Sequence, residues 1–414
     1  MYKSTSLIHR TFVRTLAPLA ALAIFAFSNA LHAQSGAPNA PSFDVTTVVN
    51  NLDDPWDVAF APGGAMLFTE KCRGLSVRLA NGTVRKLVGN TRDYVLSAKD
   101  FFCQGQSGVH GVTVDPAFAQ GQRFVYVFSA SDLKKEPRTN RVVRVKVSDD
   151  WSRVTDRVDI VDDISFKEAG ILGSAGAHSG GRLRFGPDGY LWITTGDNHD
   201  PGLPQDAKRM GGKVLRVDRD GKPAPETKAP AGFDARIYTY GHRNPQGIAF
   251  RPAGQAGAGQ AFTGEHGPNH TDEVNALVAG GNSGWDPRNR PGLDCWKSGY
   301  CGYAGDPKTM PMTDLARFPQ AMRPIWENEG RSQGMGPVEF LNGSQWGAWN
   351  GALAVSLMRD RRLDLLSLDS AGKVSRVTTV KLPTDLRIRS LIQGGDGALW
   401  AALDGGQIVR MTLR

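Results

Sequence analysis

The chain has 414 residues, with 49 Lys and Arg against 41 Asp and Glu, and a formal charge of +8. The basic residues are scattered rather than blocked, so no nucleic-acid partner is expected. Glycine (49) and proline (24) are abundant and helical periodicities are scarce, which points to short strands and tight turns.

Residues 1–33 read as a secretory signal. Lys3, Arg10 and Arg14 precede an apolar run, Leu16 to Phe27, and Leu31-His32-Ala33 ends in small-residue cleavage style. The run is short for a bilayer span. The mature chain is therefore expected in the periplasm or outside the cell, with no membrane insertion. Cleavage removes three positive charges and no acids, leaving +5. Residues 34–414 are expected to form a single domain. Four cysteines remain, Cys72, Cys103, Cys295 and Cys301, an even count that suggests two disulfides in an exported protein. A Cys295–Cys301 bridge would close a short loop and leave Cys72 with Cys103, although three pairings are open.

A theme recurs along the chain: apolar strand, Pro/Gly/Asp turn, apolar strand, loop, then a strand rich in Val, Leu and Arg. It runs through Trp56 to Arg78, Gly111 to Val147, Arg182 to Val217, Gly247 to Glu265, Val338 to Val377 and Ser390 to Leu413. Six copies predict an all-β fold, a six-bladed β-propeller with long rim loops. Phe43 to Val49 has no blade of its own and is expected to complete the last one. The long insertions, Asp200 to Pro225 and Asn269 to Arg323, fall between repeats, where propeller loops build a rim around the channel mouth.

Within the third repeat, Gly176 to Asn198 predicts a hairpin with a Gly-Pro-Asp-Gly turn at Gly186 to Gly189. His178 and Asp197 flank its two strands and should meet at its open end. A histidine held by a carboxylate is an oriented general base. Polar clusters also mark Gln104 to Gly108, Gly241 to Gly247, Glu265 to Pro268 and Arg387 to Arg389. His110, His199, His242, His266 and His270 lack helical HxxxH spacing, so most read as loop or packing residues.

These stretches, in this order, resemble the soluble sugar dehydrogenases that use pyrroloquinoline quinone (PQQ). The resemblance is carried by PWDVAFAP, GQSGVHGVTVDPAFA, HSGGRLRFGPDG with TTGD, GGKVLRVDRDG, YGHRNPQGIAF, EHGPNHTDEVN with GGNSGW, and LRIR. It runs from about Leu52 to the C-terminus and implies a six-bladed propeller. It also implies oxidation of an aldose or related sugar at the anomeric carbon to the lactone, with electrons passed to an external acceptor. By the same resemblance His178 is the base and Asp197 orients it. Arg243, Arg387 and Arg389 meet the carboxylates of PQQ, for which arginine suits best, and Gln106 and Asn244 hydrogen-bond cofactor or substrate. The carbonyls of Gly267 and Pro268 hold the calcium that bridges to PQQ. Glu273 and the Ser283 carbonyl imply a second, structural calcium.

The chain departs from the pattern in places. Ala177 stands where glucose-specific members carry an acid, so the sugar is not identified. Ser283 stands where aldose-type relatives often carry Tyr. The cofactor-binding lysine has no clean match, and Arg359 is the cation that falls nearest. The insertion with Cys295 and Cys301 is this chain's own and is expected to reshape the substrate mouth. The oligomeric expectation is monomer or homodimer. The rival functions on this architecture are a metal-dependent lactonase-type hydrolase and a non-catalytic glycan- or protein-binding propeller.

Overall fold

Six sheets, antiparallel but for two short edge strands, stand around one axis in this computed structural model, which describes residues 39–134, 136–382 and 384–414. The expected signal segment lies outside the described residues. Blade one comprises Pro55–Ala61, Ala65–Glu70, Gly74–Arg78 and Val84–Gly89; blade two, Val109–Val114, Phe124–Ser131, Thr139–Val147 and Val154–Ser165. Blade three comprises Leu183–Phe185, Leu191–Thr195, Lys213–Val217 and Ile237–Tyr240; blade four, Pro245–Phe250, Ala261–Glu265, Glu273–Ala276 and Trp326–Glu327. Blade five comprises Met335–Phe340, Leu353–Leu357, Arg362–Leu368 and Val374–Val380. Blade six has Ile388–Gln393, Leu399–Leu403 and Gln407–Leu413, and the early strand Phe43–Val49 pairs antiparallel with its last strand. The expected ring closure is therefore present.

Blades one and three have five strands, two more than the three in the recurring sequence theme. Leu96–Ser97 and Gly281–Asn282 each add a short parallel strand at an outer edge. The second of these comes from the long insertion after blade four begins, so that insertion is stitched to blade three.

The first strand of every blade faces the axis, and each contacts the first strands of its two neighbours. One apolar cluster fills each of the six junctions between blades. Leu67 and Val127 meet between blades one and two, and Phe262 and Val355 between four and five. This is the packing that alternating strands demand, because a sheet buried on both faces must be covered on both. Each fully buried Leu, Val or Phe contributes roughly 1.5–3 kcal/mol. Among the described residues no helix is long and apolar enough to cross a membrane.

A charged knot ties the innermost strands together. Asp57, from blade one, is fully buried. Its carboxylate accepts from Val58 N (2.9 Å), Val112 N (3.0 Å), Ser390 Oγ (2.7 Å) and both Nη atoms of Arg184 (2.9 and 3.1 Å). Arg182 Nη1 is 2.5 Å from Asp57 Oδ1, while its Nε and Nη2 donate to the carbonyls of Gln246 (3.1 Å) and Arg389 (2.7 Å). Burial alone would raise the Asp57 carboxyl, but Arg182 and Arg184 hold it below the ordinary value. Residues of blades one, two, three, four and six thus share one network.

Candidate active site

Above this knot lies a cavity of about 780 Å³. Every blade contributes residues at or just before the start of its innermost strand. They include Asp54 and Trp56 from blade one, Gln106 from two, His178 from three and Arg243 from four, with Gly334 from five and Arg387 from six. A chain that always enters its blade at the same end must gather these segments at one mouth. The His178 loop and all four polar clusters noted in the sequence have members in the lining.

The His178–Asp197 pair forms as expected. Leu183–Phe185 and Leu191–Thr195 pair in register, and Asp188 caps the turn by accepting from Tyr190 N at 3.2 Å. Gly189 takes the positive φ (77°) that the turn requires. At the open end Gly196 packs against the His178 carbonyl so closely that a Cβ would lie 2.1 Å from that oxygen. Only glycine lets the two strands converge here. His178 Nδ1 lies 2.7 Å from Asp197 Oδ1. Asp197 is fully buried, and its carboxylate also accepts from His199 N (3.0 Å), Trp285 Nε1 (2.8 Å) and Tyr300 Oη (2.8 Å). Burial, reinforced by Arg243 and His266, keeps the His178 imidazole well below its ordinary pKa and so neutral at pH 7. Because a carboxylate can only accept, Nδ1 carries the proton and the Nε2 lone pair is available as base.

The cations of the lining differ in how they are held. Arg243 is 1% exposed. Its Nη1 donates to the His266 carbonyl (2.6 Å) and its Nη2 to Tyr303 Oη (2.8 Å), while its buried Nε has no partner among the described residues. Glu265 braces this loop by accepting from the backbone N of Arg243 and Asn244 and from His242 Nδ1 (2.9 Å). Asn244 Oδ1 accepts from Gly180 N (3.3 Å) and Gln246 Nε2 (2.9 Å). Arg389 pairs with Asp404 at 2.5 Å, whereas Arg387 is exposed and no closer than 4.0 Å to the same carboxylate. Arg359 reaches only the Ser332 carbonyl, at 3.4 Å. Gln106 lines the wall and its carbonyl faces His110 Nε2 (3.0 Å). Arg389 is held by Asp404 through both Nε and Nη2, whereas Arg243, Arg359 and Arg387 keep spare donors, and together these guanidiniums fit a planar polycarboxylate.

The four metal candidates fall in two places. Pro268 lines the cavity, and Gly267 beside it is fixed by its N–H donating to Asp272 (2.8 Å). Glu273 and Ser283 lie outside the cavity lining. Thr313 Oγ sits 3.0 and 3.1 Å from the two Glu273 oxygens and 3.1 Å from the Ser283 carbonyl. One hydroxyl proton cannot serve three acceptors, and the leftover oxygen lone pairs fit a hard cation. Burial, with Glu265 nearby, pushes the Glu273 carboxyl up to about 8. Among the described residues no three His, Cys, Asp or Glu side chains cluster as metal ligands. The fit therefore rests on carbonyls and a single carboxylate.

Several site residues were not picked out from the sequence. His199 Nε2 lies 3.0 Å from His178 Nε2, and Tyr303 Oη lies 3.2 Å from each of those nitrogens. Tyr300, Tyr303 and Trp285 come from the long insertion. The Cys295–Cys301 disulfide closes the loop just ahead of Tyr303, and Cys72–Cys103 is the other bridge. The only sequence signal was the aromatic pair flanking Cys301. His199 differs from the loop or packing role expected of most histidines, because the tight turn after Asp197 swings it back over the His178 imidazole.

The family profile for Glucose / Sorbosone dehydrogenase matches residues 52–410. The chain is 29% identical over 380 residues to the aldose sugar dehydrogenase YliI of Escherichia coli (strain K12), covering 90% of this chain and 93% of that one. It is 30% identical over 294 residues to the quinoprotein glucose dehydrogenase B of Acinetobacter calcoaceticus, covering 64% and 57% respectively. The crystal structure of the soluble aldose sugar dehydrogenase from Escherichia coli in the apo-form superposes with a TM-score of 0.72 at 26% identity, covering 90% of this chain and all of that one. With the profile matched across most of its length, the chain belongs to the glucose/sorbosone dehydrogenase family.

Proposed function

We propose that this protein is an exported sugar dehydrogenase that uses PQQ and calcium. It oxidises an aldose or related sugar at the anomeric carbon to the lactone and passes the electrons to an external acceptor. The observation that carries this reading is one cavity with a neutral, carboxylate-held imidazole on one wall and four arginines around it. Arg243, Arg359, Arg387 and Arg389 would hold the three carboxylates of PQQ, with Asn244 and Gln106 adding hydrogen bonds. The carbonyls of Gly267 and Pro268 would ligate the calcium beside it. The chemistry supplied when both are bound is hydride acceptance by a metal-polarised quinone.

The chain's own part is positional. His178 Nε2 takes the proton of the anomeric hydroxyl. Asp197 keeps the proton on Nδ1 and stabilises the imidazolium that forms. The buried walls keep water from competing. Glu273, the Ser283 carbonyl and Thr313 would hold a second calcium that ties the insertion to blade four.

The test is a titration of the purified chain with PQQ and Ca2+, followed through the cofactor absorbance and then by dye reduction with a panel of aldoses. Saturable, calcium-dependent binding with sugar-driven reduction is the expected result. No binding of PQQ in the presence of calcium would sink the proposal.

A further inference from the structure

The three atoms nearest the base form a closed triangle: His178 Nε2, His199 Nε2 and Tyr303 Oη, with edges of 3.0, 3.2 and 3.2 Å. Counting protons shows what this triangle does. His178 Nδ1 faces a carboxylate and His199 Nδ1 faces the Leu172 carbonyl (3.4 Å), and neither acceptor can donate. Both Nδ1 atoms therefore carry hydrogens, and both Nε2 atoms present lone pairs to each other. Arg243 Nη2 donates to Tyr303 Oη (2.8 Å), so that oxygen is already an acceptor and its single O–H is left to give. Two lone pairs face one hydroxyl proton at equal distance.

We propose that Tyr303 is a positioning residue that works as a two-position hydrogen-bond switch. In the resting site its hydroxyl proton satisfies His178 Nε2. When a substrate hydroxyl arrives, that proton turns to His199 Nε2 and frees the single lone pair the base needs. After proton transfer, the new Nε2–H of His178 faces Tyr303 Oη, whose second lone pair can accept while its own proton stays on His199 Nε2. The disulfide-closed insertion thereby becomes part of the active site, since it supplies Tyr303 and also Tyr300, which steadies Asp197. This inference rests on the reading of His178 as the base.

Removing the switch proton has a consequence that simple loosening of the site does not. In Tyr303→Phe the two lone pairs remain 3.0 Å apart with nothing between them, and the pair relieves its repulsion by sharing a proton. That proton must leave before His178 can act. The charged and titratable groups facing the two imidazoles are Asp197 and Tyr300 behind them and Arg243 and His266 across the cavity; none is removed in this variant, and the acceptor that Arg243 Nη2 loses is lost equally in the double variant described next.

The experiment is the pH profile of kcat for PQQ-loaded wild type, Tyr303→Phe and Tyr303→Phe/His199→Ala, with cofactor binding checked by absorbance. The expected result is an acid limb moved up by about one pH unit in Tyr303→Phe, an approximately tenfold loss below the limb that disappears at high pH. The double variant, lacking the second lone pair, returns the limb toward wild type. An unchanged profile, or an equal loss at every pH, would overturn the switch. A second measurement needs neither variant nor cofactor: nitrogen-15 NMR of the wild-type histidine side chains near pH 7. It should find His178 and His199 both protonated at Nδ1, and an Nε2–H form of either overturns the proposal. Failure of wild type to bind PQQ would count against the proposed function and leave the NMR result to decide the switch.

Discussion

The channel holds two buried polar clusters a short distance apart, and they are built on opposite terms. The knot around Asp57 brings one carboxylate to two guanidiniums and lets main-chain and hydroxyl donors fill its remaining lone pairs. The mouth gathers more cations than its carboxylates engage and keeps the His178 imidazole neutral. A carboxylate surrounded by cations and donors stays in place; cations in excess of carboxylates leave a site that can take up an anion. The difference lies in charge balance: the knot matches its carboxylate, and the mouth does not match its cations.

Acid should pull the two clusters apart, and this is the largest effect expected. Burial lowers His110 and His199 to about 3 and His266 to about 4. Unfolded histidines take up protons below about 6.5. The folded ones resist until pH 3–4, so their contribution to stability is complete above 6.5 and is lost progressively as pH falls toward 4. The slope for the buried His110 is on the order of 1 kcal/mol per pH unit, and less for His199 and His266, which border the cavity. Asp57, held low by its arginines, loses its contribution only below the ordinary aspartate range. Hydrogen exchange between pH 7 and 4 should therefore show the mouth opening before the knot. Simultaneous opening would erase the distinction.

Asp57→Asn comes next. It strands Arg182 and Arg184 as buried charges and should cost about 3–5 kcal/mol in denaturant unfolding. A loss under 1 kcal/mol would mean the knot carries little of the ring. Asp197→Asn should act in the other currency, lowering kcat by about 10²–10³-fold while cofactor binding persists. If it instead abolished folding, Asp197 would belong with Asp57. The smallest effect is Arg387→Ala. The side chain is exposed and barely paired, so stability should hold while PQQ affinity falls about tenfold, measured by the same absorbance titration. Unchanged affinity would remove Arg387 from the cofactor set.

Most of the architecture is legible in the sequence alone. Repeated turn chemistry marks blade boundaries locally, so six blades and the closing role of Phe43–Val49 could be read directly. The His178–Asp197 meeting was legible for the same reason, since a hairpin fixes which residues share an end. Tyr300, Tyr303 and Trp285 were not, because they sit in an insertion with no period and reach the base through a fold-back of roughly a hundred residues. The Asp57 knot was equally hidden: Arg182 and Arg184 looked like ordinary strand residues, and only ring closure brings them to a carboxylate from another blade. Arg359, read as the nearest stand-in for a missing lysine, does line the cavity.

The pairing of Phe43 with Leu413 carries a kinetic consequence. The final blade takes its outermost strand from the start of the domain, so the last contacts cannot form until the whole chain is available. Each blade can form through local hairpins, but the ring gains its closing energy only across the longest loop the chain possesses. Such topology makes closure slow and cooperative. It leaves blade six with an unpaired edge during assembly, the segment where a folding intermediate would be most exposed to pairing with another copy.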